Sequence, residues 1–250
     1  MLKEIREEFN SVAIFDLDGT LQKTLPSITI SANMTLDHFG LPGLSQETVV
    51  GFIGKGARVL TESVMRHSGI DDPDTIEEAY RVYTRIFDEH CTDELEPYEG
   101  VPEMLERLLA MGVDVAVVTN KNMSMAPRVL ATSFSLDLFS EIRGFSPDFP
   151  LKPDASQTID VLEKLGALPE RSFFIGDSDI DVLTGRNAGM RTIAVKWGYQ
   201  PIEKLEAVNP DYLAESPEDL TAYIERILSQ QGPWRLRCGR KSPPYSGLQK

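Results

Sequence analysis

Residues 12–20 read VAIFDLDGT, and the carboxylates of Asp16 and Asp18 are the first groups in the chain that could do chemistry. An apolar, β-branched and aromatic run stops, and two like charges follow one residue apart, where each disfavours ionisation of the other. Three later segments also end apolar runs on polar groups: Thr119-Asn120, Lys152 just before Pro153, and Gly176-Asp177 with Asp181 four residues on. Four carboxylates in one crevice call for a cation. Hard divalent ions take oxygen ligands, and Mg²⁺ in particular uses a couple of carboxylates together with water and phosphate oxygens. Such an ion would be part of the electrostatics of the site. With Lys152 as a second positive group, the crevice could hold a phosphate dianion beside a carboxylate. The chemistry implied is phosphoryl transfer. Asp16 would attack phosphorus, and Asp18 would protonate the leaving oxygen and then activate water. Thr119, Asn120 and main-chain N–H groups would meet the phosphoryl oxygens or the substrate, while Lys152 and Mg²⁺ offset developing charge.

These residues can meet only if the elements that carry them end at one edge. VAIFD (12–16), VDVAVVT (113–119), EIRGF (141–145), SFFIGD (172–177) and TIAVKW (192–197) are short apolar runs of the kind buried on both faces of a parallel sheet. Helical stripes lie between them. Val101, Met104, Leu105, Leu108 and Leu109 form one, ended by Gly112; Ile159, Leu162 and Leu165 form another, ended by Gly166. Ser216-Pro217 reads as the start of a last helix through Leu220, Tyr223, Ile224, Ile227 and Leu228. The pattern predicts an α/β fold with a doubly wound parallel sheet, in which ligands bind beyond the carboxyl ends of the strands.

The gap between the first two runs is far longer than a βαβ crossover needs. It carries helical spacing of its own, clearest at Ile76, Ala79, Tyr80, Tyr83, Ile86 and Phe87. The expectation is an all-α cap over 24–94 inserted into a core of 1–23 and 95–231, joined by linkers at Gly19–Thr24 and Asp93–Gly100 that would serve a hinged lid. The last nineteen residues, 232–250, carry five basic and no acidic side chains and read as a disordered or appended basic tail.

The net charge of −14 argues against a nucleic-acid backbone as partner. No stretch approaches the roughly 20 apolar residues of a membrane span, and MLKEIREEFN has no apolar signal region. Cys91 and Cys238 read as free thiols. A cytoplasmic location follows as the default, and the sequence leaves the oligomeric state open.

The four segments taken in order, Asp16-Leu17-Asp18-Gly19-Thr20, Thr119-Asn120, Lys152-Pro153 and Gly176-Asp177-Ser178-Asp179-Ile180-Asp181, resemble the motifs of the haloacid dehalogenase superfamily over about residues 12–229. The helical insert resembles the small cap of its phosphoglycolate phosphatase-like members. IGKGARVL (53–60), VVTNK (117–121), NAGM (187–190), KWGY (196–199) and NPDYLAESPEDL (209–220) are softer matches. The resemblance implies that Asp16, the Asp18 carbonyl and Asp177 bind Mg²⁺, with Asp181 supporting the metal through water or Lys152. It implies a phosphatase for a small phosphorylated metabolite, with phosphoglycolate leading and pyrophosphate, nucleoside monophosphates or a phosphosugar mutase reaction behind. A catalytically weak binding module on the same fold is the reading from another class. The chain departs from the family pattern at Gln22-Lys23-Thr24, where Lys23 either receives an anionic substrate or faces solvent. Lys55 and Arg58 in GFIGKGAR either reach the substrate or belong to a surface loop and helix start.

DLDGT alone could be a turn, and DSDID (177–181) begins like a calcium loop. Val182 and Ala188 stand where that loop wants Gly and Glu, so the calcium reading fails. His38, His67 and His90 have no ligand spacing.

Overall fold

The structure is a computed structural model that describes residues 10–230. The basic tail and Cys238 lie outside the described residues. Strand β1 (Val12–Phe15) is wholly buried and leads through DLDGT into a two-residue strand β2 (Gln22–Lys23). Four helices follow: α1 (Leu25–His38), α2 (Gln46–Val49), α3 (Gly56–His67) and α4 (Pro73–His90). The start of α4 is dictated locally, because the Asp72 carboxylate accepts the Thr75 N–H at 2.9 Å and Pro73 supplies a preset first turn. Strand β3 (Glu96–Pro97) returns to pair antiparallel with β2, so a short ribbon joins the two connections.

Core elements then alternate: α5 (Val101–Ala110), β4 (Asp114–Asn122), α6 (Ala126–Leu130), β5 (Glu141–Phe145), α7 (Ser156–Leu165), β6 (Phe173–Gly176), α8 (Asp179–Asn187), β7 (Arg191–Val195), α9 (Ile202–Ala207), β8 (Tyr212–Ala214) and α10 (Pro217–Gln230). The sheet runs β5-β4-β1-β6-β7-β8 with every pair parallel. The chain moves outward from β1 through β4 to β5, then crosses to β6 on the other side of β1. Asp16 thus leaves the sheet at its topological switch, where a doubly wound fold opens a crevice.

The predicted α/β class holds, and the five runs are strands. Two details differ. Strand β4 continues past Thr119 to Asn122, because it stays paired with β5 across a register shift between Val118 and Asn122. Ile159 is exposed, since α7 turns Thr158, Val161 and Leu162 inward instead. The core forms on both faces of the sheet. Phe15, Val115, Val117 and Phe173 pack toward α5 and α10, and Val12, Ile14, Ala116 and Phe174 toward α7.

Candidate active site

Asp16 follows the last residue of β1, and its N–H donates to Ile175 O at 2.9 Å, which fixes its backbone against β6. Across the crevice the buried Lys152 Nζ lies 2.9 Å from Asp16 Oδ1 and 2.7 Å from Asp181 Oδ1. Asp181 is held by the start of α8. Ser178 Oγ accepts the Asp181 N–H at 3.3 Å, and the Asp181 carboxylate accepts the Ser178 N–H at 3.1 Å, a reciprocal cap. Asp177 closes the group: Tyr199 N–H donates to its Oδ2 at 2.7 Å, and Thr20 Oγ1 donates to its Oδ1 at 3.1 Å. Carboxylate oxygens of Asp16, Asp177 and Asp181 all lie within 4.8 Å of one another.

Close backbone approach makes this gathering possible. Gly19 has φ +82°, and a Cβ there would run into the Asp177 carboxylate; Cβ atoms on Gly198 and Gly176 would collide with Asp177 and Asp181. The electrostatics are costly. Burial, ahead of Asp181 and Asp16, pushes the Asp177 carboxyl up to about 8. Burial also raises Asp16 to about 6, against the lowering effect of Lys152. Burial opposes the charge on Lys152, but Asp16 and Asp181 together hold its pKa above the usual lysine value. Asp16 Oδ1 and Asp18 Oδ1 are buried and accept no well-directed hydrogen bond. Three buried carboxylates whose oxygens converge are an all-oxygen set that fits a hard divalent cation.

A cavity of about 210 Å³ opens in front of Asp16 and Asp18. Thr119, Asn120 and Lys121 line it from β4, and Lys55, Arg58 and Phe87 line it from the helical insert. Lys152, Asp177 and Asp181 lie outside its wall. The structure therefore brings the polar ends of β1, β4 and β6 and the loop after β5 to one edge. Thr119 is buried, and its Oγ1 accepts the Lys121 N–H at 3.3 Å. Asn120 spends its side chain on main chain. Its Oδ1 accepts the Lys152 N–H at 2.8 Å, and its Nδ2 donates to Gly54 O at 2.9 Å, tying β4 to the insert. Arg58 is exposed, paired with Glu77 at 2.7 Å and lying over the Tyr80 ring; Lys55 is exposed. Lys23 sits on β2 with its side chain about half exposed (47%), 3.7 Å from Glu96.

Sequence reasoning gave no role to Lys121 or to the KWGY residues. Lys121 Nζ lies 2.9 Å from Asp18 Oδ1. Trp197 Nε1 donates to Thr20 O at 3.0 Å, and Tyr199 Oη accepts the N–H groups of Thr24 at 2.7 Å and Leu25 at 2.9 Å. A signal for Lys121 was present, because strand periodicity puts it on the same side as Thr119 once the strand is allowed to continue.

The class is defined by these features together: a Rossmann-like α/β enzyme whose acidic site lies at the crest of a parallel sheet, with helices inserted after the first strand. Residues 13–195 match the family model for haloacid dehalogenase-like hydrolases, and the chain belongs to that family. A phosphoglycolate phosphatase of Aquifex aeolicus (strain VF5) is 32% identical over 86% of this chain and 96% of its own length. Pyrophosphatase PpaX of Bacillus mycoides (strain KBAB4) is also 32% identical, over 87% of this chain and 98% of its own. Among solved structures, a predicted phosphoglycolate phosphatase from Haemophilus somnus 129PT superposes with a TM-score of 0.80 at 28% identity, covering 86% of this chain and 97% of that one. The protein is thus an enzyme of the hydrolase class, and these curated relatives are phosphatases. No helix among the described residues is long and apolar enough to cross a membrane.

Proposed function

We propose that the protein is a Mg²⁺-dependent phosphatase that hydrolyses a small phosphorylated metabolite through an aspartyl-phosphate on Asp16. The observation that carries this reading is the position of Asp16, on the cavity wall with Lys152, Asp177 and Asp181 behind it. In the first step a carboxylate oxygen of Asp16 bonds to phosphorus, the ester P–O bond breaks, and the leaving oxygen takes a proton from Asp18. In the second step Asp18 takes a proton from water, the water oxygen bonds to phosphorus, and the bond from phosphorus to Asp16 breaks, releasing phosphate. Thr119 and neighbouring N–H groups orient the phosphoryl oxygens, and Lys152 holds Asp16 in place and offsets charge as it develops. Asp16, the Asp18 carbonyl and Asp177 would hold Mg²⁺, with Asp181 behind them. When bound, the ion supplies positive charge that lets a dianionic phosphate approach a carboxylate.

Within the described residues the core is 10–23 and 95–230, and 24–94 acts as a lid whose closure excludes bulk water. The β2–β3 ribbon supports that division, since it gathers the two connections of the insert at one place, and the Asn120 to Gly54 hydrogen bond joins the insert to the core at the cavity. Phosphoglycolate is the leading substrate and pyrophosphate the second, each because a relative that matches nearly end to end carries that name. The test offers the purified protein with Mg²⁺ a panel of phosphate monoesters and pyrophosphate. Release of phosphate that stops with EDTA is expected. Folded protein that turns over none of them would instead be a binding module, and turnover that survives EDTA would remove the metal.

A further inference from the structure

We propose that Lys121 reads negative charge on the leaving group and makes the enzyme selective for phosphate compounds with an acid group close to the scissile oxygen. This deepens the phosphatase reading and rests on it.

The cavity wall contains three basic side chains, Lys55, Arg58 and Lys121. Lys55 and Arg58 are exposed at the rim, and Arg58 is already paired with Glu77. The Lys121 side chain is 2% exposed. Its Nζ lies 2.9 Å from Asp18 Oδ1 and 4.6 Å from the centroid of the Phe87 ring. An ammonium has three donors; Phe87 offers only a ring face, and Asp18 Oδ1 occupies at most one of the three. Donor capacity therefore remains at the cavity, beside Ile28, Tyr83, Met125 and Phe145, where a charge is weakly screened and an anion is favoured strongly.

Position turns this into selectivity. Asp18 must come within about 2.6–3.2 Å of the leaving oxygen to protonate it. Adding the 2.9 Å from Asp18 Oδ1 to Lys121 puts that oxygen within about 6 Å of Nζ if Oδ1 serves it, and within about 8 Å if the other carboxyl oxygen does. A carboxylate or phosphate two or three bonds from the scissile oxygen then reaches hydrogen-bond distance of the ammonium. A neutral group of the same size leaves the buried cation without a partner from the substrate, and a site built to bind a polar group rejects analogues that lack it.

The test compares acidic and neutral substrates of matched size in the full-length protein with Mg²⁺. 2-Phosphoglycolate is set against 2-hydroxyethyl phosphate, and 2-phospholactate against 1-hydroxypropan-2-yl phosphate. The wild-type protein is expected to favour at least one acidic member by about tenfold or more in kcat/KM. In Lys121→Met, which keeps the stem packed on Phe87 but also removes the cation beside Asp18, both members of a pair are expected to slow, and the acidic-over-neutral preference is expected to fall to within about twofold. Lys121→Arg is expected to restore part of the preference. Equal loss for both members of a pair, or a preference that survives in folded Lys121→Met, would overturn the proposal. So would a wild-type protein that hydrolyses neutral and acidic members equally well, a result that needs no variant to fold. Phosphate release from neither member of either pair would instead bring down the phosphatase reading, and this proposal with it.

Discussion

Lys152 Nζ lies 2.9 Å from Asp16 Oδ1, and the same ammonium spans to Asp181 Oδ1 at 2.7 Å. One buried cation thus holds two buried carboxylates that would otherwise repel. Lys152→Met removes the charge while roughly filling the space. Asp16 then loses the group that favours its ionised form and is pushed further above its ordinary carboxylate range. Breaking a buried pair from one side costs about 3–5 kcal/mol, and losing the positive group beside the phosphoryl acceptor is expected to lower kcat by about 10²-fold or more. Denaturant unfolding in EDTA and steady-state turnover in Mg²⁺ measure the two effects. A variant with normal stability and normal kcat would show that Lys152 does neither job.

The acidic cluster makes metal binding and pH inseparable. Burial, with Asp181 and Asp16 behind it, raises Asp177 from 3.8 to about 8. Between those values the folded chain keeps a proton that the unfolded chain has lost, so this group lowers stability as pH rises through the window. A divalent cation competes with that proton. The gain in Tm from Mg²⁺ over EDTA-treated protein is therefore expected to be larger at about pH 8.5 than at about pH 6. Thermal melts at the two pH values check this; an increment that shrinks as pH rises would contradict cation binding at Asp177.

Asp16 and Asp18 differ in what their loss should do. Asp16→Asn is nearly isosteric but carries no nucleophilic carboxylate, so kcat is expected to fall by about 10³-fold or more. The melting transition should persist, because the change removes a buried carboxylate that already resists ionisation. On the proposed mechanism Asp18→Ala leaves the nucleophile but takes away the proton donor and base, and both half-reactions should slow by about 10²–10⁴-fold. Rapid-quench single-turnover measurements separate the two variants. Near-normal kcat in Asp16→Asn would reject the covalent route, and an unchanged single-turnover rate in Asp18→Ala would reject its proton transfers.

The sequence carried the sheet and the acidic cluster because both are written locally. Each buried strand is a short apolar run, and each carboxylate of the cluster sits within a few residues of a strand end, as Asp16 does after Phe15 and Asp177 does after Gly176. What it did not carry depends on distant pairing. Lys121 enters the site only because β5 keeps β4 extended past Thr119. The β2–β3 ribbon joins Gln22 to Pro97 across the whole helical insert, and no local pattern announces a two-residue strand. Asn120 sits beside Thr119 in one motif, yet its side chain binds main chain from two other segments, a role invisible to spacing.

Tyr199 shows how far such long-range contacts reach. Helix α1 starts at Thr24 with no side-chain cap of its own. Tyr199, from the loop after β7, supplies one: its Oη accepts the Thr24 N–H at 2.7 Å and the Leu25 N–H at 2.9 Å, while its own N–H donates to Asp177 Oδ2. One residue therefore steadies an acidic side chain of the site through its backbone and the first helix of the insert through its phenol. Tyr199→Phe keeps the backbone bond and the ring but leaves two half-buried N–H groups without that oxygen, at a cost of about 1–2 kcal/mol. The expected result is a lower Tm, with Mg²⁺ affinity nearly unchanged because the Asp177 contact is main-chain. Faster amide exchange confined to the first turn of α1 is the local signature. A variant with wild-type Tm and wild-type exchange at Thr24 and Leu25 would mean that water caps this helix as well as the phenol does.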